Sequence, residues 1–460
     1  MMKLLLVNPC PLDEDGRRLP PAREISYGLT LPYLAALIGG RHEIRIIDDN
    51  FEPCDPATPA DAVLFTAMSS RVERAYQLAA GFRERGVRTV LGGIHASALP
   101  EDAQPHVDAV CVGEAETIIP DLIADLEADR LQPRYTGRAT DLVGLPTPYY
   151  QMMNPAHYLF RMDPVQVVRG CPNRCRYCTV SDLYGASYRY RPTADVLRDL
   201  DRASTFLYFI DDNLMADRDR ALELFRAMKG RGKLFFAQGT LALAADPELL
   251  AAARAAGLML FYTGIETLNQ KGHEMMGRKG KLGLDPGECL DILRKSGISV
   301  MASMMVGFEG DSEASMEEMV RFLEKHKVHF LLLYILTPPP GTRWYRQMEK
   351  EGKIPPTRWG VYDGVHAVVP PRGMSNAEIT RIFDRTFARF YSVRSAARRL
   401  LWPPRLTPMV VNLMMGSNLR RGLTPFLGVP ATSRFGRLGP LAQALLESRP
   451  ARAVVRMQSD

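Results

Sequence analysis

Three cysteines, Cys171, Cys175 and Cys178, stand at CxxxCxxC spacing within Arg169-Gly170-Cys171-Pro172-Asn173-Arg174-Cys175-Arg176-Tyr177-Cys178. Thiolates are soft ligands that suit iron–sulfur clusters or zinc. A structural zinc site takes four ligands, usually as two close pairs. No second CxxC or CxxH pair occurs; the nearest other cysteine in sequence is Cys111 and the nearest histidine His157. A disulfide reading leaves an odd thiol. Three thiolates on a four-iron cluster leave one iron without a protein ligand, an open position where chemistry can be done. The preceding run Val165-Gln166-Val167-Val168 reads as a strand, so the cysteines are expected on the loop leaving its C-terminal end.

The rest of the chain must position that loop. Its 460 residues allow two or three domains. A hydrophobic share of 46% with 24% charged residues fits soluble globular domains with sizeable cores. Only three of the seven cysteines are clustered, which excludes a disulfide scaffold. The apolar N-terminus, Met1-Met2-Lys3-Leu4-Leu5-Leu6-Val7, is too short for a signal sequence and reads as a buried parallel strand. No apolar run approaches the roughly 20 residues of a membrane span. A cytoplasmic protein is expected.

Residues 1–137 alternate short apolar strand candidates (Leu4–Asn8, Glu43–Ile47, Ala62–Thr66, Thr89–Leu91, Ala109–Val112) with helix candidates (Leu31–Ile38, Val72–Arg85, Glu116–Ala128). Such alternation predicts a parallel sheet covered on both faces, with ligands beyond the carboxyl ends of its strands. Those ends carry Thr66-Ala67-Met68-Ser69-Ser70 and Gly92-Gly93-Ile94-His95-Ala96-Ser97. Paired glycines let backbone approach a large flat ligand closely, and neighbouring hydroxyls can hydrogen-bond it. His95 either faces such a ligand or bonds a neighbouring loop. Residues 138–163 read as a connector, extended around Leu145-Pro146-Thr147-Pro148-Tyr149-Tyr150.

Over 164–345 six strand–helix units follow, with strands at Val165–Val168, Leu207–Ile210, Leu234–Gln238, Met259–Gly264, Ile298–Val306 and Phe330–Leu336. They predict a partial (β/α) barrel with its active residues at the C-terminal strand ends. Those ends hold Asp211-Asp212-Asn213, Gln238, Glu266 and Gly307. The aspartates suit an ammonium group; the alternative is a helix N-cap before Leu214. Pro338-Pro339-Pro340-Gly341-Thr342 ends the sixth unit and reads as a turn. The barrel-mouth aromatics Tyr184, Tyr188, Trp344 and Tyr345 suit a large or apolar substrate and equally suit packing.

The cysteine stretch, including Tyr177 before the third cysteine, resembles the cluster loop of the radical S-adenosylmethionine (SAM) superfamily. The phrases Gly28-Leu29-Thr30-Leu31-Pro32-Tyr33-Leu34-Ala35-Ala36-Leu37, Gly92–Ser97 and Gly113-Glu114-Ala115-Glu116 resemble the subgroup with a cobalamin-binding domain ahead of the barrel. The resemblance implies an α/β chain: a Rossmann-like, flavodoxin-like cobalamin domain, a partial (β/α)6 TIM-type barrel, and a mostly helical extension over 346–460. It implies a [4Fe-4S] cluster on Cys171, Cys175 and Cys178. SAM would be framed by Tyr177, by Asp211 or Asp212, and by Gln238, Glu266 and Gly307. Cobalamin would be held by Thr66, Met68, Ser69, Gly92, Gly93, His95 and Ser97. The loop Cys10–Gly16 lacks the histidine of the DxHxxG loops of mutases, so it is not expected to ligate cobalt.

The implied activity is reductive cleavage of SAM and methylation of an unactivated carbon or phosphorus centre, fed by a flavodoxin- or ferredoxin-type electron donor. The alternatives are a non-methylating relative that closes a ring or joins carbons on a tetrapyrrole or lipid, and a non-catalytic cobalamin or cluster sensor. Residues 401–460 carry eight arginines against Glu447 and Asp460, which accounts for the whole net charge of +6. That tail reads either as a basic surface docking on anionic membrane or as a cap over the barrel. Nucleic acid is not an expected partner, because no recognition motif appears.

Overall fold

The computed structural model describes residues 1–20, 26–158, 161–185, 187–276, 285–371 and 373–400. The basic tail over 401–460, with its membrane-docking reading, lies outside the described residues.

The first sheet holds β1 (Lys3–Asn8), β2 (Glu43–Asp48), β3 (Ala62–Thr66), β4 (Arg88–Gly92), β5 (Ala109–Val112) and β6 (Arg134–Thr136). Every pairing is parallel, in the order β2-β1-β3-β4-β5-β6. Strands buried on both faces need continuous apolar runs, and β1 supplies one. Leu5 and Val7 pack with Phe65 and Leu91 on one face; Leu4 and Leu6 pack with Leu64 and Val90 on the other. The sixth strand was not expected, because Arg-Tyr-Thr is too short and polar to signal one. From β1 the chain steps to β2 on one side and then crosses back to β3 on the other, so the strand order reverses and a ligand crevice opens at the carboxyl ends of β1 and β3.

The strands of the second sheet are β7 (Asp163–Val165), β10 (Phe206–Phe209), β11 (Leu234–Gly239), β12 (Leu258–Glu266), β13 (Ser299–Val306) and β14 (Phe330–Ile335). They run in the order β14-β13-β12-β11-β10-β7. All are parallel and the two end strands do not pair, which is the architecture of an open, partial barrel. The strand before the cysteines is shorter than expected and ends at Val165. Val168–Arg169 (β8) instead pairs antiparallel with Arg189–Tyr190 (β9) in a small ribbon. The cause is Asp211, whose Oδ1 accepts the amides of Val167 and Val168 at 2.8 and 2.6 Å and so takes them out of the sheet's ladder.

Helices fill the crossovers, for example Pro247–Ala256 capped by Asp246 and Glu313–Lys325 capped by Ser312. Helix Asn376–Phe390 buries Ile379, Ile382, Phe383, Phe387 and Phe390 against the barrel. After it, Tyr391 Oη bonds both the amide and the carbonyl of Leu331 (3.1 and 2.8 Å), which satisfies backbone at the free edge of β14. No described helix is long and apolar enough to cross a membrane.

Candidate two-cofactor site at facing strand ends

The three cysteines lie on the loop between the legs of the β8–β9 ribbon. Gly170 opens that loop at φ +92, and a Cβ there would run into the Ser187 carbonyl, so only glycine fits. Cys171 is buried, Cys175 and Cys178 half-buried. Burial pushes the Cys178 thiol up to about 12 and raises that of Cys171, so a metal must displace protons to bind them. Among the described residues no three thiol, imidazole or carboxylate groups converge on a single-ion site. A four-iron cluster spreads its thiolates over different irons and does not require such convergence.

The structure separates the two aspartates. Asp211 is buried and spends Oδ1 on the Val167 and Val168 amides, while its Oδ2 has no partner. Burial raises its carboxyl to about 7. Asp212 carries no ion-pair partner among the described residues, and its charge reaches Cys171, Cys178 and Tyr184. Burial lifts its carboxyl to about 6, so a cation there would find a carboxylate that gains from being paired. The N-cap alternative fails for both residues. The following helix is Arg218–Met228 and its cap is Asp217.

At the end of β12, Glu266 stands at φ +74, a conformation costing a non-glycine residue about 1–3 kcal/mol. Its carboxylate accepts Tyr177 Oη (3.2 Å) and Ser303 Oγ (3.1 Å). Its side chain folds over Gly264, where a Cβ would clash with Oε1. Glu266 therefore joins the cysteine loop to β12 and β13. Tyr177 packs in an apolar cluster with Met276, Phe308, Leu336 and Trp344. Gly307, at φ +117, starts a turn whose amides (Gly307, Phe308) bond Asp311 Oδ2 at 3.0 and 2.9 Å. Gln238 lies half-buried near the end of β11, and its carbonyl accepts the Leu214 amide at 3.1 Å. Trp344 and Tyr345 are buried, Tyr184 and Tyr188 half-buried. The Pro338–Thr342 turn packs on the first domain: Gly341, at φ +75, leaves no room for a Cβ beside Ala98.

On the first sheet, Gly93 (φ +95) lies against Ala67 and the Thr66 hydroxyl too tightly for any side chain. Met68, just past β3, is 56% exposed, an apolar side chain left at a ligand crevice. His95 takes the second of its two alternatives. It is fully buried, with Nδ1 3.1 Å from Ser69 Oγ and Nε2 3.0 Å from Asp102 Oδ2 and 3.1 Å from Tyr76 Oη. With both nitrogens engaged, it holds loops together instead of facing outward. Trp359 Nε1 also donates to Asp102 (3.2 Å). Burial alone would raise the Asp102 carboxyl, and these bonds hold it below its ordinary value. Ser97 Oγ accepts the Gly113 amide at 3.0 Å.

One group escaped the sequence reading. Arg169, immediately before the cysteine loop, pairs with Glu114 and Glu116 of the first domain, each at 2.7 Å. Arg189 pairs with Glu114 too, and Tyr33 Oη donates to Glu116 at 2.7 Å. Two acids two residues apart in an otherwise apolar stretch, Gly113–Ile119, were the available signal.

Comparison with known proteins agrees with this arrangement. The family model described as the Radical SAM superfamily matches residues 165–323, and that of the B12 binding domain matches residues 23–123. The bacteriochlorophyllide d C-8(2)-methyltransferase of Chlorobaculum tepidum is 24% identical over 442 residues, covering 90% of this chain and 96% of that one. The hopanoid C-2 methylase of Rhodopseudomonas palustris is 24% identical over 436 residues, covering 90% of this chain and 80% of that one. The radical SAM methyltransferase TsrM of Kitasatospora setae, solved with cobalamin and a [4Fe-4S] cluster, superposes with a TM-score of 0.61 at 16% identity, covering 99% of both chains. With a B12-binding domain followed by a radical SAM barrel, the chain belongs to the cobalamin-dependent radical SAM family.

Proposed function

We propose that the protein is a methyltransferase acting on an unactivated carbon or phosphorus centre of a biosynthetic intermediate. The observation that carries the reading is the set of ion pairs that brace the cysteine loop to the carboxyl edge of the first sheet; in this reading two cofactor sites face one space. The residue types fit the groups. Three thiols share one loop, an unpaired carboxylate stands beside them, and an exposed methionine and close-packed glycines edge the crevice. When bound, the cluster supplies the electron that cleaves SAM and cobalamin carries the methyl group to be transferred.

In this reading Cys171, Cys175 and Cys178 hold the cluster. Asp212 pairs with the SAM ammonium, and Asp211 shapes the backbone beneath it. Glu266 and Tyr177 order the ribose side, with Gln238 and Gly307 at the rim. Thr66, Met68, Gly92 and Gly93 line the corrin crevice, and Ser69, His95 and Ser97 support it from behind. Mostly apolar walls exclude water from the mouth. The proposed units are 1–137 for cobalamin, 138–163 as connector, 164–345 for the barrel and 346–460 as extension.

The large polycyclic substrates named for the two curated relatives support a bulky, apolar substrate here, and a flavodoxin- or ferredoxin-type donor is the proposed electron source. The test is anaerobic incubation of the reconstituted full chain with reductant, methyl-labelled SAM and extract from a strain lacking the gene. The reading expects 5′-deoxyadenosine and one labelled product. Deoxyadenosine without label transfer points to ring closure or carbon–carbon bond formation, and neither product points to a sensor.

A further inference from the structure

We infer that Glu114 and Glu116 are positioning residues that couple the two cofactor sites, so that filling the corrin crevice tightens SAM binding at the cluster. The inference rests on the two-cofactor reading and extends it. Both legs of the ribbon that carries the cysteine loop end on one carboxylate: Arg169 from β8 and Arg189 from β9 each pair with Glu114. Glu116 takes the second nitrogen of Arg169 and is itself held by Tyr33. On the other side, the Gly113 amide is fixed by Ser97, at the end of the glycine loop that would meet the corrin. The connection runs Ser97, Gly113, Glu114, Arg169, Gly170, Cys171. Its two turns are glycines at φ +94 and +92, each with a neighbouring carbonyl where a Cβ would go. A displacement at the 92–97 loop therefore reaches the cysteine loop through a path with little slack.

The four charged side chains are only 7–16% exposed. Charges shielded from water interact far more strongly than surface pairs. Burial works against the charged forms, yet the pairing holds the Glu116 carboxyl below and the Arg169 guanidinium above their ordinary values. A second inter-domain contact offers a control: Glu73 holds Arg358 and the Trp359 amide, away from the ribbon. Simple gluing of domains would make both contacts behave alike.

The test uses the full chain with its cluster rebuilt anaerobically. SAM, supplied as its aza analogue so that it is not cleaved, is titrated against the electron paramagnetic resonance spectrum of the reduced cluster, with and without added hydroxocobalamin. Wild type is expected to need at least about fivefold less SAM when hydroxocobalamin is bound, and SAM should tighten hydroxocobalamin by the same factor, since coupling is reciprocal. Glu114→Gln should abolish this dependence while iron content and corrin uptake stay unchanged; Glu73→Gln should retain it. If Glu114→Gln does not fold, Arg189→Lys carries the test, keeping the charge but losing the fork. Equal coupling in wild type and the ribbon variants, or no coupling in wild type with both cofactors bound, overturns the inference. Failure to bind corrin or cluster, read directly from absorbance and iron analysis, overturns the two-cofactor reading as well.

Discussion

Loop 92–98 of the first sheet is fastened from behind: His95 reaches Ser69, Tyr76 and Asp102, and Ser97 reaches Gly113. The cysteine loop of the barrel is held at scattered points: Tyr177 bonds Glu266, Asp182 pairs with Arg343, and the ribbon of two residue pairs at its base is anchored by Glu114 and Glu116 of the other domain. The corrin side is thus organised largely around one buried hub, whereas the cluster side draws on its barrel, on a neighbouring domain and, in the proposed holoenzyme, on the metal. The difference makes the two regions separately breakable.

The largest expected effect is at Gly170. Alanine there meets the Ser187 carbonyl in a left-handed conformation, so Gly170→Ala should lose nearly all iron on reconstitution while still taking up hydroxocobalamin. Loss of both would erase the contrast. The reciprocal change is His95→Ala, which leaves Asp102 and Ser69 without their shared partner. It should cost about 2–4 kcal/mol of stability by thermal unfolding and weaken corrin uptake with iron content preserved.

A smaller effect sharpens the cluster side. Asp212→Asn should raise the SAM concentration for half-saturation by about tenfold or more, the usual worth of a charge-assisted bond. Asp211→Asn should change it far less, because an amide oxygen can still accept the Val167 and Val168 amides. Equal losses would contradict the division between them.

The smallest effect lies away from both loops. Burial raises and Arg389, Ser395 and Arg398 lower the Glu324 carboxyl, which settles at about 2 from an ordinary 4.5. A depressed acid stabilises the fold above its unfolded value and loses that contribution as pH falls. Hydrogen exchange in helix 376–390 should therefore speed up between about pH 4.5 and 2.

What the sequence disclosed follows from range. The cysteine triad is a spacing of eight residues, and the core strands are apolar runs, so both are local. The pairing of Asp211 with the Val167 amide spans 44 positions and that of Arg169 with Glu114 spans 55, and nothing in either neighbourhood announces its partner. The same holds for Tyr391, whose bond to Leu331 closes a strand edge 60 residues away. His95 shows the converse: a glycine-flanked histidine is conspicuous, yet its buried partners Ser69, Tyr76 and Asp102 decide its role, and they become visible only once the sheet is folded.

In the proposed enzyme Cys171, Cys175 and Cys178 hold the cluster that cleaves SAM beside a corrin. The most direct measurement is 5′-deoxyadenosine formed by the anaerobically reduced full chain carrying both cofactors, compared with Cys178→Ala. Steady formation is expected from the wild type and none from the variant, with corrin uptake equal in both. Formation by the variant at the wild-type rate, or none by a wild type whose cluster and corrin are both in place, would contradict it.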